Sequence, residues 1–136
     1  MTTTIILSLK EQYFQQMLDG TKRYEYRRKF LKQPVTAFIY VSSPVKAIKG
    51  VVQFGLPIID SVDRIAQMCE NEEPGTYEAT LTYLKGLDVG YAIPVLSVEK
   101  IEPVPLSELR KRFSFVAPQS YIHLDKKPDL LTFLQA

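Results

Sequence analysis

Tryptophan is absent from this 136-residue chain, and cysteine and histidine occur once each, as Cys69 and His123. A single cysteine closes no internal disulfide, and one thiol with one imidazole makes no zinc cage. The sequence therefore predicts no metal site and no cofactor, and it suits a reducing compartment. Glycine is scarce, at 6 residues, and none builds a phosphate-cradling loop. No apolar run approaches the roughly 18 residues that span a bilayer. Met1 to Ile6 lacks the basic start and long apolar stretch of a signal peptide. The expected location is the cytoplasm, with no membrane partner. Neither charge dominates: 17 Lys+Arg stand against 15 Asp+Glu, for a net charge of +2.

What remains is an ordinary globular composition, 46% hydrophobic and 24% charged, which excludes a disordered tail, a collagen-like repeat and a coiled coil. The length suits one domain over 1–136, able to bury roughly two-thirds of its unfolded surface without staples. Charge is distributed unevenly. Lys22, Arg23, Arg27, Arg28, Lys29 and Lys32 cluster around the lone acid Glu25. Asp60, Asp63, Glu70, Glu72, Glu73 and Glu78 gather further on. A basic side and an acidic side follow.

Thr3–Leu9 is β-branched and apolar and reads as a strand. Ser8-Leu9-Lys10-Glu11 has the form of a capping box. Tyr13, Phe14, Met17 and Leu18 then make one helical stripe, which predicts a helix over Lys10–Asp19 closed by Gly20. Lys22–Lys29 reads as a strand with Tyr24 and Tyr26 on one face and Glu25 and Arg27 on the other. Strands are expected over Thr36–Ser42, over Ala47–Ile59 with bends at Gly50 and Gly55, and over Tyr91–Ile101 with an edge or bulge at Pro94. Between the last two lie a helix capped by Ser61, with Cys69 in its core stripe, and a helix over Thr76–Lys85. A solvated face and turn is expected at Glu70-Asn71-Glu72-Glu73. Short helices are expected over Pro105–Phe113 and from Pro128, with a strand over Ser120–Leu124 between them. No regular βαβα alternation is present. The fold class read from this order is α+β, a small, mostly antiparallel β-barrel with surrounding helices.

Three stretches carry chemistry. On a strand, Glu25 and Arg27 point to the same side, where a guanidinium offers a planar fork for phosphate or carboxylate. Glu25 can orient that fork or accept from a base amino group. Lys10 and Lys22, at opposite ends of the first helix, can close over the same side. Spacing alone also describes a solvated charged face, and by itself favours that reading. Ser42 and Ser43 ahead of Pro44 can bind a ligand or cap their turn. Gln119 can read a base edge and Tyr121 can stack on a base, or both can belong to a plain loop-to-strand junction. His123 pairs with no motif-borne nucleophile, so a Ser-His-Asp or Cys-His enzyme is unsupported.

Ile5-Ile6-Leu7-Ser8-Leu9-Lys10, Gly20-x-Lys22-x-x-Glu25-x-Arg27-Arg28 and Tyr40-x-Ser42-Ser43-Pro44 with Gly50 resemble the ASCH domain family of the PUA-like superfamily. Gly90-Tyr91-Ala92-Ile93 and Pro118-Gln119-Ser120-Tyr121 are similar to its longer bacterial and phage members. The resemblance implies a PUA-like barrel with a cleft beside the first helix, lined by the Gly-x-Lys motif and the polar strand after it. It implies binding of RNA or a nucleotide, in a role regulating transcription or translation. It turns the reading of the basic strand toward function. Lys10, Lys22, Glu25, Arg27, Arg28, Ser42, Ser43, Gln119 and Tyr121 become the expected nucleic-acid-binding residues, with Arg27, Arg28 and Lys22 on phosphate.

Some small ASCH proteins are amidohydrolases of modified cytidine, using a lysine, a threonine three residues later and a distal glutamate. Lys22 matches the lysine, but the threonine position is Glu25. A carboxylate has no hydroxyl proton to give up. An enzyme reading therefore makes Lys22 and Glu25 an acid/base pair with water attacking a nucleoside or RNA. A third reading makes the acidic stretch Asp60 to Glu78 a contact for a basic protein partner.

Overall fold

A computed structural model describes residues 3–136. Met1 and Thr2, part of the segment read as lacking a leader, lie outside the described residues. The chain runs β1 (Thr3–Leu9), α1 (Glu11–Asp19), β2 (Tyr24–Arg27), β3 (Val35–Val41), β4 (Ala47–Phe54), β5 (Ile58–Ser61), α2 (Val62–Glu72), α3 (Tyr77–Tyr83), β6 (Val89–Pro105), α4 (Leu106–Phe113), β7 (Tyr121–His123), a 3-10 turn and α5 (Pro128–Gln135). Among the described residues no helix is long and apolar enough to cross a membrane.

The strands form one seven-stranded sheet in the order β2-β6-β4-β3-β1-β7, with β5 also paired to β6. All pairs are antiparallel except β1 with β3. The parallel pair follows from the α1 connection, which returns the chain to the same end of the sheet. The class is α+β, as expected. The barrel is a curled half-barrel: among the described residues no backbone ladder joins the outer strands β2 and β7.

Period-two alternation sorts the core. Ile5, Leu7 and Leu9 face α1, where Phe14 and Met17 are buried with Val35, Ala37, Ile39 and Phe54. Ile6 faces the other way, into a layer with Phe38, Tyr40 and Ile48 under Leu106, Leu109 and Leu130 of α4 and α5. Ser8 continues the face of Ile6. It is half-buried, at the lip of the cleft described below. Gly50 sits in the β4 bulge, where a Cβ would meet the Phe14 ring and come within 2.7 Å of the Glu99 carbonyl oxygen.

Several local expectations need correction. The capping box does not form. Lys10 is the N-cap residue of α1 without a side-chain bond, and the Ser8 hydroxyl donates instead to the Pro118 carbonyl at 2.6 Å. The C-terminal end matches: Gly20 has φ +81°, and its N–H bonds back to the last turn. The basic strand is shorter than Lys22–Lys29, because Arg28 and Lys29 bend away after β2. The long strand over Ala47–Ile59 divides at Gly55-Leu56-Pro57 into β4 and β5. The strand expected over Tyr91–Ile101 is longer, Val89–Pro105, and Pro94 lies inside it opposite Tyr24 with the β4–β6 register shifting nearby, in keeping with the expected bulge. A proline can sit there because the bulge leaves no ladder bond for its missing N–H.

The acidic stretch is folded, not merely solvated. Ser61 caps α2, its hydroxyl accepting from the Arg64 N–H at 3.2 Å. The Glu70 carboxylate accepts from the N–H groups of Gly75, Thr76 and Tyr77 and so fixes the α2–α3 turn. These bonds hold the Glu70 carboxyl below its ordinary range. Glu72 accepts from the Arg23 N–H and the Tyr26 hydroxyl, each at 2.6 Å. It ties the helical hairpin to β2.

Candidate functional site

A cleft of about 820 Å³ opens between the end of β1, the start of α1, the β2 segment, the α2–α3 hairpin and α4. Its floor is the Lys22, Glu25 and Arg27 group. Both faces of β2 are covered. Tyr24 and Tyr26 pack toward Ile65, Leu84 and Ala92 under the hairpin. Glu25, on the opposite face, is 7% exposed and turned into the cleft. The solvated-face reading of this strand therefore fails.

A buried carboxylate needs partners, and Glu25 has two cations. Arg27 Nε and Nη2 reach Glu25 Oε2 at 2.9 and 2.7 Å. Lys22 Nζ lies 3.4 Å from Oε1. Oε2 thus receives two donors, while Oε1 keeps a lone pair for a ligand. Arg27 also donates through Nη1 to the Ser120 hydroxyl at 3.2 Å and through Nη2 to the Ser8 carbonyl at 3.4 Å. One of its five N–H groups stays free. The guanidinium bridges the two sides of the open barrel and anchors Glu25. It is not a free phosphate fork.

Lys22 is held differently. Its ammonium lies 5.3 Å from the ring centre of Tyr13 and 5.1 Å from that of Tyr26, and beside Glu25. Ring faces and a carboxylate are partners of a cation, so Lys22 presents a fixed positive charge with spare donors to the cleft. Tyr26 is itself pinned by Glu72. Burial, then the bond to Glu72, pushes the Tyr26 phenol far above its ordinary value, so it remains a donor. Burial also raises Tyr40.

The remaining expected residues divide into two groups. Lys10, Ser42, Ser43 and Gln119 line the same cleft as Lys22, Glu25 and Arg27. The Ser42 hydroxyl donates to the Leu9 carbonyl at 3.3 Å, which leaves its lone pairs to accept. Arg28 is exposed on the bend after β2 and does not line the cleft. Tyr121 is outside it as well. Its ring packs 5.3 Å from Phe30 and 5.9 Å from His123, against the barrel core.

Sequence reading missed Tyr13, Lys46, Tyr83 and Arg110, all on the cleft wall. Arg110 was findable, because it lies four residues after Leu106 on the same face of α4. Tyr83 needed the placement of the hairpin. Cys69, expected in the core, is half-buried and lines the cleft. Behind Lys22 the cleft continues into a recess of about 190 Å³ between Gln16, Tyr26, Cys69 and Glu72. Among the described residues no cluster of three or more His, Cys, Asp or Glu side chains is placed to hold a metal.

No protein-family model matches the sequence, and no curated protein matches it. Solved structures do. The ASCH protein from Zymomonas mobilis superposes with a TM-score of 0.79 at 21% identity, over 96% of this chain and 94% of that one. A single-substitution variant of the same protein gives 0.80 at 20% identity, over 96% of each chain.

The chain has the ASCH fold.

At this identity the likeness covers architecture. The shared fold covers the curled sheet and the helices around it. The chemistry of the cleft rests on this chain's own residues.

Proposed function

We propose that the cleft binds one unpaired nucleotide, presented by single-stranded RNA. The observation that carries this is the Lys22–Glu25–Arg27 floor, a buried carboxylate with one free lone pair beside a fixed ammonium. Such a floor offers donors and an acceptor side by side, which suits the edge of a base. The cleft volume lies in the range of small-ligand sites. Tyr83, 45% exposed on the hairpin wall, offers a ring face for stacking, the part that sequence assigned to Tyr121. The Ser42 hydroxyl, its proton committed to Leu9, accepts from a ribose 2′-hydroxyl, which DNA lacks. Gln119, exposed and on the cleft lining, adds an amide that can read a base edge. A role in regulating transcription or translation belongs to this proposal and rests on the family resemblance.

The test is titration of the protein with a mixed-sequence RNA hexamer and the matching DNA at two salt concentrations. RNA preferred over DNA, with affinity lowered at least about tenfold in Lys22→Gln, supports the reading. Equal affinity for both polymers refutes the 2′-hydroxyl contact. No binding to either refutes the proposal.

A hydrolase of a modified nucleoside or RNA is the second reading, favoured by the 3.4 Å approach of Lys22 to Glu25 in an open cleft. Against it, Arg27 occupies Glu25 Oε2 twice and two rings face the ammonium, contacts that suit permanent charges more than a proton shuttle. Product release from modified cytidines, abolished in both Lys22→Ala and Glu25→Gln, decides for it.

A further inference from the structure

Three exposed cations stand on one rim of the cleft: Lys10, Lys46 and Arg110. None is in an ion pair among the described residues. Backbone hydrogen bonds set them side by side. The Ser42 N–H bonds to the Leu9 carbonyl at 2.9 Å, which places the β3–β4 turn against Lys10. The Lys46 N–H closes that turn on the Ser42 carbonyl at 3.4 Å. The Leu106 N–H then bonds to the Lys46 carbonyl at 2.8 Å and docks the start of α4 there. Arg110 is one turn further along the same helix face. The thread from Leu9 through Ser42 and Lys46 to Leu106 thus assembles a continuous positive edge from three separate elements.

The facing wall is of another character. It is built by Glu73, Thr76, Ala79, Thr80 and Tyr83, on a hairpin that also carries Glu70, Glu72 and Glu78. A polyanion crossing the cleft is repelled by one wall and attracted by the other. The floor cations are already committed: Lys22 and Arg27 both pair with Glu25. Two cations against one carboxylate leave the floor with charge to spare for the base edge, whereas the cations without an acid partner among the described residues of the cleft lining, open to an extended phosphate backbone, are those of the rim.

We propose that Lys10, Lys46 and Arg110 form a phosphate rail, so that the ligand is an oligonucleotide strand lying along this rim and not a free mononucleotide. This rests on the nucleotide-binding reading of the cleft and names its partner. The strand runs past Lys10, the β3–β4 turn and α4, and turns one base inward toward Glu25 and Lys22. The hairpin touches the base and not the backbone.

Fluorescence anisotropy with a labelled mixed-sequence RNA hexamer, at 50 and 200 mM KCl, tests this. The variants are Lys46→Asn, Arg110→Gln, their double, Lys22→Gln and the distant surface control Lys100→Gln. Asparagine is chosen because Lys46 has φ +54°, which asparagine tolerates. For a single strand the salt slope is about 0.7 per neutralised phosphate. Each rail variant is expected to lower the slope by about that amount and the affinity by about three- to tenfold at low salt. Lys100→Gln is expected to change neither. A double variant with unchanged slope, while Lys22→Gln lowers hexamer affinity at least about tenfold, overturns the rail and leaves the cleft reading standing. Hexamer binding no tighter than that of a mixture of nucleoside 5′-monophosphates overturns the oligonucleotide claim in the same way. No binding of hexamer or monophosphates overturns both.

Discussion

Arg27 holds Glu25 with two nitrogens on one carboxylate oxygen, at 2.7 and 2.9 Å, and donates further through Nη2 to the Ser8 carbonyl and through Nη1 to Ser120. One side chain thereby does what a backbone ladder does in a closed barrel. It also sets the orientation of the only buried carboxylate among the described residues.

Arg27→Ala is accordingly a stability variant first. It leaves Glu25 buried with only Lys22 and unties β2 from β1. The expected loss is about 2–4 kcal/mol in urea denaturation. Arg27→Lys recovers only part, since an ammonium cannot make the fork. RNA affinity falls with the disordered floor, but the salt slope stays the same. A slope lowered by about 0.7 with stability unchanged marks Arg27 as a phosphate ligand instead.

Lys22→Gln separates binding from folding. Glu25 keeps its Arg27 fork in this variant, so the fold is expected to lose less than about 1.5 kcal/mol. RNA affinity is expected to fall at least about tenfold, the weight of one charge-assisted hydrogen bond. Circular dichroism melts beside binding isotherms check both numbers. Intact affinity removes Lys22 from the site.

Tyr26 makes stability depend on alkaline pH. Its folded phenol is raised above the ordinary value by burial and then by Glu72, whereas the unfolded phenol titrates near 10. The folded state therefore holds the proton longer. The contribution is fully present below about pH 10 and declines as pH rises beyond it. Tyr40 and Tyr77 are raised too and add in the same direction. Urea midpoints are expected to fall above pH 10, and less steeply in Tyr26→Phe. Identical slopes in the two proteins contradict the Glu72–Tyr26 tie.

Gly50→Ala tests the close approach of α1 to the sheet. The new Cβ meets the Phe14 ring and the Glu99 carbonyl oxygen, the latter at 2.7 Å. Backbone cannot yield cheaply, so α1 must shift, at a cost of about 1–3 kcal/mol. Because α1 carries Tyr13 and borders Lys10, RNA affinity is expected to weaken with it. A melting temperature equal to that of the unmodified protein shows the approach to be looser.

Much of this arrangement is written in local pattern. The β-branched, apolar runs read as strands over Thr3–Leu9 and Thr36–Ser42, the Ser61 cap, Gly20 and Pro128 each reflect short-range physics, and the structure places them there with the second strand shifted by one residue to Val35–Val41. The Lys22, Glu25 and Arg27 grouping was legible because all three lie within six residues, on or just before one strand. What escaped depends on long-range docking. The Ser8 hydroxyl left its own helix for Pro118, 110 residues away in sequence. Tyr121 turned to Phe30 because curling of the sheet brought them together. Glu72 looked like one of several solvated acids until the hairpin folded over Tyr26. The rim cations come from three elements that only the tertiary hydrogen bonds align.

Amide chemical-shift mapping of the labelled protein with the RNA hexamer shows where on the surface the strand is held. Shifts are expected at Ser8, Leu9, Lys22, Glu25, Ser42, Lys46, Tyr83 and Gln119, all on the walls and floor of one cleft. Shifts confined to the exposed edge around Ile58, Ile59 and Leu96, or none at saturating RNA, would contradict binding in this cleft.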